Sequence, residues 1–331
     1  METETKRTKK VLLVYTGGTI GMDKNPKTGA LEPLNFSHLL EKIPEYDQLP
    51  AKVDTVQFDP PLDSSDMSPE YWVRMVDVIA KHYEQYDGFV ILHGTDTMAY
   101  TASALSFLFE NLQKPVVLTG SQLPIGQLRT DGKPKIPEVC IYFDGHVIRG
   151  NRATKQSAEE FNAFHSFNYP HLCDAGINFS FHDPYILQPD YTKPTRFHRE
   201  MNSDVYVFSL FPGVQENIVR HMMDAPELKS IIMRTYGSGN APQYPWLTRL
   251  LREAYDRGIT VVNISQCVSG QVEMSRYDAG FHLKDAGVIS GYDSTVEAAL
   301  TKLMFLQARY KDPADIRRLM QQSLAGEITV E

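Results

Sequence analysis

The sequence predicts an α/β protein built from two open, mainly parallel-sheet α/β domains, the N-terminal one larger than the C-terminal one. Three observations lead there. Short apolar runs without helical alternation, at 11–14 (VLLV), 89–92 (FVIL) and 116–119 (VVLT), have the pattern of strands buried on both faces. Segments with helical spacing separate the second and third of these runs and precede the second. After a polar, proline-bearing stretch, the same alternation restarts at Val205. The expected division is a first domain over 1–184, a linker over 185–204 and a second domain over 205–331.

Taken in order, the first strand ends in Thr16-Gly17-Gly18-Thr19. Paired glycines let the backbone turn sharply and leave little bulk above the strand end. Two threonine hydroxyls are then expected at the carboxyl edge of the sheet, where open α/β folds place their ligands. The plainer alternative is a tight strand-to-helix turn in which Thr19 caps the next element. Residues 23–61 are polar and proline-rich, with one short helical stretch at 36–42, and read as a lid. Asp63-Ser64-Ser65-Asp66 follows, then Ser68-Pro69 as an N-cap with proline at the first helical position. Trp72, Val73, Val76, Ile79, Ala80 and Tyr83 repeat at helical spacing.

The second strand ends in His93-Gly94-Thr95-Asp96-Thr97, and a helix follows with Met98, Ala102, Leu105, Leu108, Phe109 and Leu112 on one face. The third strand ends in Gly120-Ser121. Thr19, Ser64, Thr95 and Ser121 are therefore expected along one rim of one sheet. The pattern then breaks. Residues 122–138 carry prolines at 124, 134 and 137 and hold no helix of useful length, although a parallel crossover normally needs one. Either the strand at 139–143 pairs differently or its crossover lacks a helix. A donor-rich loop, Arg149 to Lys155, comes next. In the second domain, strands at 205–208, 231–233 and 261–264 alternate with a helix over 246–257 that Gly258 closes. Ser294 and Glu297 read as a capping box opening a helix through Arg309, and a last helix runs from Asp312-Pro313 to Gly326.

Composition narrows the function. With 331 residues, 42% of them hydrophobic, the chain can bury a substantial core. Its 33 basic and 41 acidic residues give a net charge of −8, with no basic strip, so a nucleic-acid partner is not expected. The 3 cysteines, Cys140, Cys173 and Cys267, suggest neither a disulfide framework nor a metal site. The opening METETKRTKK lacks the apolar core of a signal peptide, and no apolar run is long enough to span a bilayer. A soluble cytoplasmic protein without a membrane partner is the expectation.

Familiar chemical templates are missing: there is no GxGxxG, no phosphate loop, no GxSxG elbow and no HExxH. His93 is expected to be a hydrogen-bonded structural residue. What remains is hydroxyls, a carboxylate and a lysine. A threonine hydroxyl needs a neighbouring base to act as a nucleophile, and a lysine held beside a hydroxyl and a carboxylate can relay its proton. Thr95, Asp96 and Lys155 are the candidates for that set.

YTGGTIGM (15–22), DSSDM (63–67), HGTDTMAYTASALSF (93–107), LTGSQLP (118–124), LRTDG (128–132) and RGNRATK (149–155) together resemble the L-asparaginases of the bacterial class, and specifically the cytoplasmic type I enzymes. The likeness continues through TYGSGNAP (235–242), NISQCVSGQV (263–272) and GVISGYDSTVEAALTKL (287–303). The resemblance implies a homodimer or homotetramer that hydrolyses L-asparagine to L-aspartate and ammonia, with no cofactor and no metal. It assigns Thr19 as nucleophile, Thr95, Lys155 and Asp96 as a second hydroxyl relay, and Asp96 also to the substrate ammonium. Asp63, Ser64 and Ser65 would grip the α-carboxylate, with Ser121 as a further substrate contact. Family members often carry an activating tyrosine near the TGALEP stretch; Thr28-Gly29-Ala30-Leu31 has none, and Tyr277 is the candidate substitute, its alternative being a packing tyrosine. The resemblance also implies a second asparagine site at Arg234, Ser265, Gln266 and Cys267, whose alternative is ordinary loop chemistry. Competing functions are a glutaminase-asparaginase of broader specificity and a non-catalytic asparagine-binding sensor.

Overall fold

The computed structural model describes residues 8–18, 22–24, 31–33, 51–120, 134–160, 162–176, 178–274 and 278–330. Its contacts divide the chain into two compact units: Met1–His165 with His171–His198, and Ser166–Pro170 with Arg199–Glu331.

The first unit is built on an eight-stranded sheet. Its strands are β1 (Lys9–Tyr15), β2 (Ala51–Gln57), β3 (Gly88–Leu92), β4 (Val116–Thr119), β5 (Val139–Phe143), β6 (His146–Arg149), β7 (Cys173–Ala175) and β8 (Phe179–Phe181). The spatial order is β8-β7-β6-β5-β4-β3-β1-β2. From β2 to β5 every pairing is parallel; β6, β7 and β8 add on in antiparallel fashion. β3 and β4 are buried along their whole length, because helices α1 (Pro69–His82) and α2 (Met98–Leu108) belong to the crossovers that cover them. α1 buries one stripe, Trp72, Met75, Val76 and Ile79. α2 is buried almost all round and contains small residues, Ala99, Ala102, Ser103 and Ala104, that let it pack closely.

Chain order decides where this sheet opens. The chain leaves β1 for β2 on one side and returns to β3 on the other, so the crossovers diverge between β1 and β3. Such a switch point leaves a crevice beyond the carboxyl ends of the two strands, and open α/β sheets bind ligands there.

Several local expectations change. β2 lies inside the segment expected to be an irregular lid; Val53, Thr55 and Val56 are the β-branched signal for it, and as an edge strand it is only half-buried. The proposed helix at 36–42 lies outside the described residues. α2 ends at Leu108 rather than Leu112: Phe109–Glu110 turns into a short strand paired with Arg196–Phe197. Residues within 185–204 are thereby structured, with Phe197 edge-on to both Tyr83 (5.1 Å) and Phe109 (5.8 Å). β5 does pair parallel with β4, so its connection is a crossover; residues 121–133 of it lie outside the described set.

The second unit holds a four-stranded, wholly parallel sheet, β9 (Val205–Ser209), β10 (Ser230–Thr235), β11 (Thr260–Ser265) and β12 (Ile289–Ser290), in chain order. Helices α3 (Glu216–Met223), α4 (Pro245–Asp256), α5 (Asp278–Asp285), α6 (Val296–Arg309) and α7 (Pro313–Met320) accompany it. Leu247, Leu250, Leu251 and Ala254 of α4 pack with Ile231, Met233 and Val261 in the core. Thr295, not Ser294, caps α6 by accepting from the Ala298 amide at 3.1 Å, and Glu297 is buried. α7 ends at Met320, six residues before Gly326, while Asp312 caps its start as expected. Residues 166–170 join this unit because Asn168 donates to the carbonyls of Gly270 and Asp293 and accepts from the Gly270 amide.

Candidate active site at the switch point

After β1 the backbone passes through Gly17 (φ 141°) and Gly18 (φ 92°), conformations that L side chains rarely adopt. A Cβ on Gly17 would fall 2.0 Å from the Leu62 carbonyl oxygen, and one on Gly18 would fall 2.8 Å from the Gly94 Cα. The turn is therefore wedged between the segments that follow β2 and β3, and only glycine fits. Thr16 is not presented to a ligand: its buried hydroxyl donates to the Leu92 carbonyl at 2.9 Å, tying the end of β1 to the end of β3. Thr19 lies outside the described residues, as do Ser121 and Tyr277.

Beyond β3, His93 is a structural residue. Its Nδ1 donates to the Gly94 carbonyl (2.6 Å), so in the neutral ring Nε2 accepts from the Thr101 hydroxyl (2.9 Å), which itself accepts from Trp72 Nε1 (3.0 Å). Burial pushes the His93 pKa down to about 4. This saturated chain holds the Gly94-Thr95 turn from below. Gly94 in turn is packed on Ser64, whose hydroxyl oxygen would lie 2.4 Å from any Cβ added there. Thr97 donates to the Ser64 carbonyl at 2.7 Å, so the segments after β2 and β3 are fastened together.

Ser64 is buried beside Gly94. Asp63 opens the 3₁₀ turn Ser64–Asp66, accepting from the Ser65 amide (2.9 Å) and hydroxyl (2.8 Å). Those two hydrogen bonds hold its carboxyl below the usual carboxylate range. Opposite, Lys155 sits on the two-residue strand Thr154–Lys155, paired with Phe164–His165. Its ammonium donates to Thr95 Oγ1 at 3.0 Å and to Asp96 Oδ1 at 2.7 Å. The lysine side chain is 19% exposed and the aspartate 65%, so the cluster is screened on the lysine side and open on the aspartate side. Lys155 is placed by a rigid base. Arg149 and Glu138 form a buried ion pair at 2.6 Å, and Glu138 also accepts from the Leu187 amide. Arg149 and Arg152 of the loop read as donor-rich are buried, which spends Arg149 on scaffold rather than ligand.

Chemically, a lysine between a hydroxyl and a carboxylate is a proton-relay arrangement: loss of a proton from Nζ leaves a lone pair 3.0 Å from Thr95 Oγ1. The structure thus brings together Thr95, Asp96 and Lys155, and separately Asp63, Ser64 and Ser65. Sequence reasoning missed the part played by Gly94, whose signal is its position between a strand end and a hydroxyl-bearing turn.

In the second unit, Ser265 donates to the Gly237 carbonyl (2.6 Å) and Gln266 Nε2 donates to the carbonyls of Leu210 (2.7 Å) and Arg234 (2.9 Å). The Cys267 amide donates to Ser265 Oγ, and its thiol is free.

Comparison with known proteins gives the family. Residues 10–186 match the family model described as asparaginase, N-terminal, and residues 204–320 the one described as glutaminase/asparaginase C-terminal domain. L-asparaginase 1 of Escherichia coli is 43% identical over 335 residues, covering 97% of this chain and 98% of that protein. The human 60 kDa lysophospholipase is 40% identical over 357 residues, covering 97% of this chain but 62% of its own length. The crystal structure of L-asparaginase I from Vibrio cholerae superposes with a TM-score of 0.86 at 41% identity, covering 98% of this chain and all of that one. With both family models matched in order, and with identity of this level spanning nearly the whole length, the chain belongs to the asparaginase family.

Proposed function

We propose that the protein is an amidohydrolase that converts L-asparagine to L-aspartate and ammonia through a threonine acyl-enzyme. The observation that carries this reading is the bridging of Thr95 and Asp96 by Lys155 at the carboxyl edge of the switch point. Thr19 Oγ attacks the side-chain amide carbon, its proton passes to the departing ammonia, and water then cleaves the ester to release aspartate. Thr95 and Lys155 relay the proton, and Asp96 receives the substrate ammonium on its open side. Ser64 and Ser65 hold the α-carboxylate, with Asp63 positioning Ser65 through its amide and hydroxyl, Ser121 supplies a further contact, and Tyr277 assists Thr19. A zwitterion gripped at both ends in this way leaves a buried partner unmatched when a close analogue lacks one group.

Thr19→Ala, Thr95→Val and Lys155→Met test it, read as ammonia release from asparagine and, in parallel, from glutamine. Turnover lost in all three with asparagine binding kept supports the acyl-enzyme. Comparable rates on glutamine favour the broader glutaminase-asparaginase, and binding without any ammonia release favours a sensor.

The same reading extends to a cytoplasmic homodimer or homotetramer, checked by fractionation and sedimentation. Among the described residues no helix is long and apolar enough to cross a membrane. It also extends to a second asparagine site at Arg234, Ser265, Gln266 and Cys267. One feature favours that site: Arg234 Nε is buried and has no hydrogen-bond partner among the described residues. Rate against asparagine is then sigmoidal, and Arg234→Ala alters the shape of the curve while catalysis survives; a plainly hyperbolic wild-type curve removes the second site.

A further inference from the structure

Spacing along the chain offers no histidine ligand pair, yet three histidines meet on one carboxylate at the antiparallel end of the first sheet, far along it from the switch point. His146 begins β6 and stands directly opposite Asp174 of β7 in the antiparallel register. Opposed residues share a face of the sheet. His171 precedes Asp174 by three residues, and His182 follows β8, whose Ser180 pairs with Asp174 from the other side.

The donor atoms are close. His146 Nδ1 lies 2.7 Å and His171 Nδ1 3.0 Å from Asp174 Oδ1, while His182 Nε2 lies 3.3 Å from Oδ2. One donor atom each from His146, His171 and Asp174 falls within 4.8 Å of the others. The His146 and His171 rings lie against each other, tilted by 38°, at a centroid distance of 4.3 Å.

His182 is the informative member. Its Nδ1 sits 2.9 Å from the His171 carbonyl oxygen, and a carbonyl only accepts, so Nδ1 carries the hydrogen. In the neutral ring, Nε2 is then a bare lone pair facing a carboxylate oxygen at 3.3 Å. Two acceptors held face to face repel unless a proton or a metal cation lies between them. A backbone carbonyl that fixes the tautomer and aims the remaining nitrogen is the orienting contact that metal-ligating imidazoles ordinarily have.

We propose that His146, His171, His182 and Asp174 form a four-ligand transition-metal site, suited first to Zn²⁺, that staples β6, β7 and β8 together. Three imidazoles and one carboxylate match the nitrogen-rich sets that bind zinc and its neighbours, whereas calcium and magnesium take oxygen ligands. Tetrahedral bonds of about 2.0–2.2 Å set ligand atoms roughly 3.3–3.6 Å apart, so the His146 and His171 contacts to Asp174 Oδ1 open by about half an ångström to admit the ion, and His182, outside that three-residue group, closes in as the fourth ligand. The four side chains are 33–40% exposed, which leaves a route for the hydrated ion. Four protein ligands fill the tetrahedron, so the role is structural. β7 and β8 have only three residues each, and a cross-link between them and β6 adds what so short a ladder lacks.

The test uses the full chain without a polyhistidine tag, stripped with chelator, then titrated with Zn²⁺ in a calorimeter and with Co²⁺ by visible absorption. The expected result is one equivalent bound at micromolar affinity or tighter, a tetrahedral cobalt spectrum, and a Tm raised by about 5 °C at a hundredfold excess over Kd. Asp174→Asn and His182→Gln should each weaken binding by about 100-fold, since losing even an outer partner of a ligand costs 10- to 100-fold. His171→Gln, like His182→Gln outside the strands, gives the same loss where Asp174→Asn fails to fold, with circular dichroism as the control. Binding no tighter than millimolar, or binding that all three substitutions leave unchanged, overturns the site. So does stability that follows pH near neutrality with no metal taken up, which would make the cluster a proton sink.

Discussion

The carboxyl edges of the two sheets carry the same kinds of residue and end up chemically different. In the first unit the crossovers diverge between β1 and β3, and Lys155, Thr95 and Asp96 meet there with the aspartate open to solvent. In the second unit the strands follow chain order, so no switch point forms. Its edge is knitted by its own side chains: Thr235 donates to Asn263, Asn263 to the Gly239 carbonyl, Ser265 to Gly237, and Gln266 to Leu210 and Arg234. Two lysines show the same contrast. Lys302 is fully buried against Glu327 and also donates to the carbonyls of Met320 and Gln322, and burial pulls its pKa down. Lys155 contacts a hydroxyl and an exposed carboxylate. Polar residues at a strand end are therefore no guide to a site until the backbone's own claims on them are counted.

The largest expected effect breaks the comparison on the open side. Lys155→Met should lower kcat by about 10²–10⁴-fold with little change in KM, because relay is lost and grip is kept. A variant that keeps its turnover and loses only affinity makes Lys155 a binding residue. Glu327→Gln, on the closed side, should destabilise by about 3–5 kcal/mol in denaturant unfolding by leaving the buried Lys302 charge without its carboxylate. Its kcat below the unfolding transition should match wild type; a fall like that of Lys155→Met would erase the distinction between the two lysines.

Next in size is a pH effect from beneath the open site. His93 titrates near 6.5 in the unfolded chain and at about 4 when folded. The unfolded chain thus binds more protons between those values, so stability is full above the upper one and falls as pH drops toward the lower. The loss attributable to His93 is on the order of 3 kcal/mol. Urea midpoints measured from pH 4.5 to 7 should flatten in His93→Gln, and an unchanged slope assigns the acid sensitivity to other groups. The smallest effect sharpens the closed side: Thr235→Val removes one buried hydrogen bond and should cost about 1–2 kcal/mol while leaving ammonia release intact.

Much of this molecule was legible beforehand because strands and helices are local. Buried apolar runs of three to five residues marked β1, β3, β4, β5, β10 and β11, and Ser68-Pro69 and Asp312-Pro313 marked helix starts. Short-range competition decided what was misread. Phe109 is as apolar as the helix before it, but pairing with Phe197 draws it out of α2. Thr295 outcompeted Ser294 as a cap, one residue away. β2 escaped notice because an edge strand buries little.

The sequence by itself determined the α/β class, both runs of alternating elements and which residues stand at strand ends, since these follow from periodicity and from glycine's freedom to turn. Tertiary structure alone decided strand order, and with it the switch point that draws Lys155 to within 3.0 Å of Thr95 across sixty positions. It also separated the hydroxyl of Thr16, spent on a carbonyl, from that of Thr95, and gathered His146, His171 and His182 around Asp174. Such contacts depend on which strands are neighbours and in what register, and no local pattern encodes either.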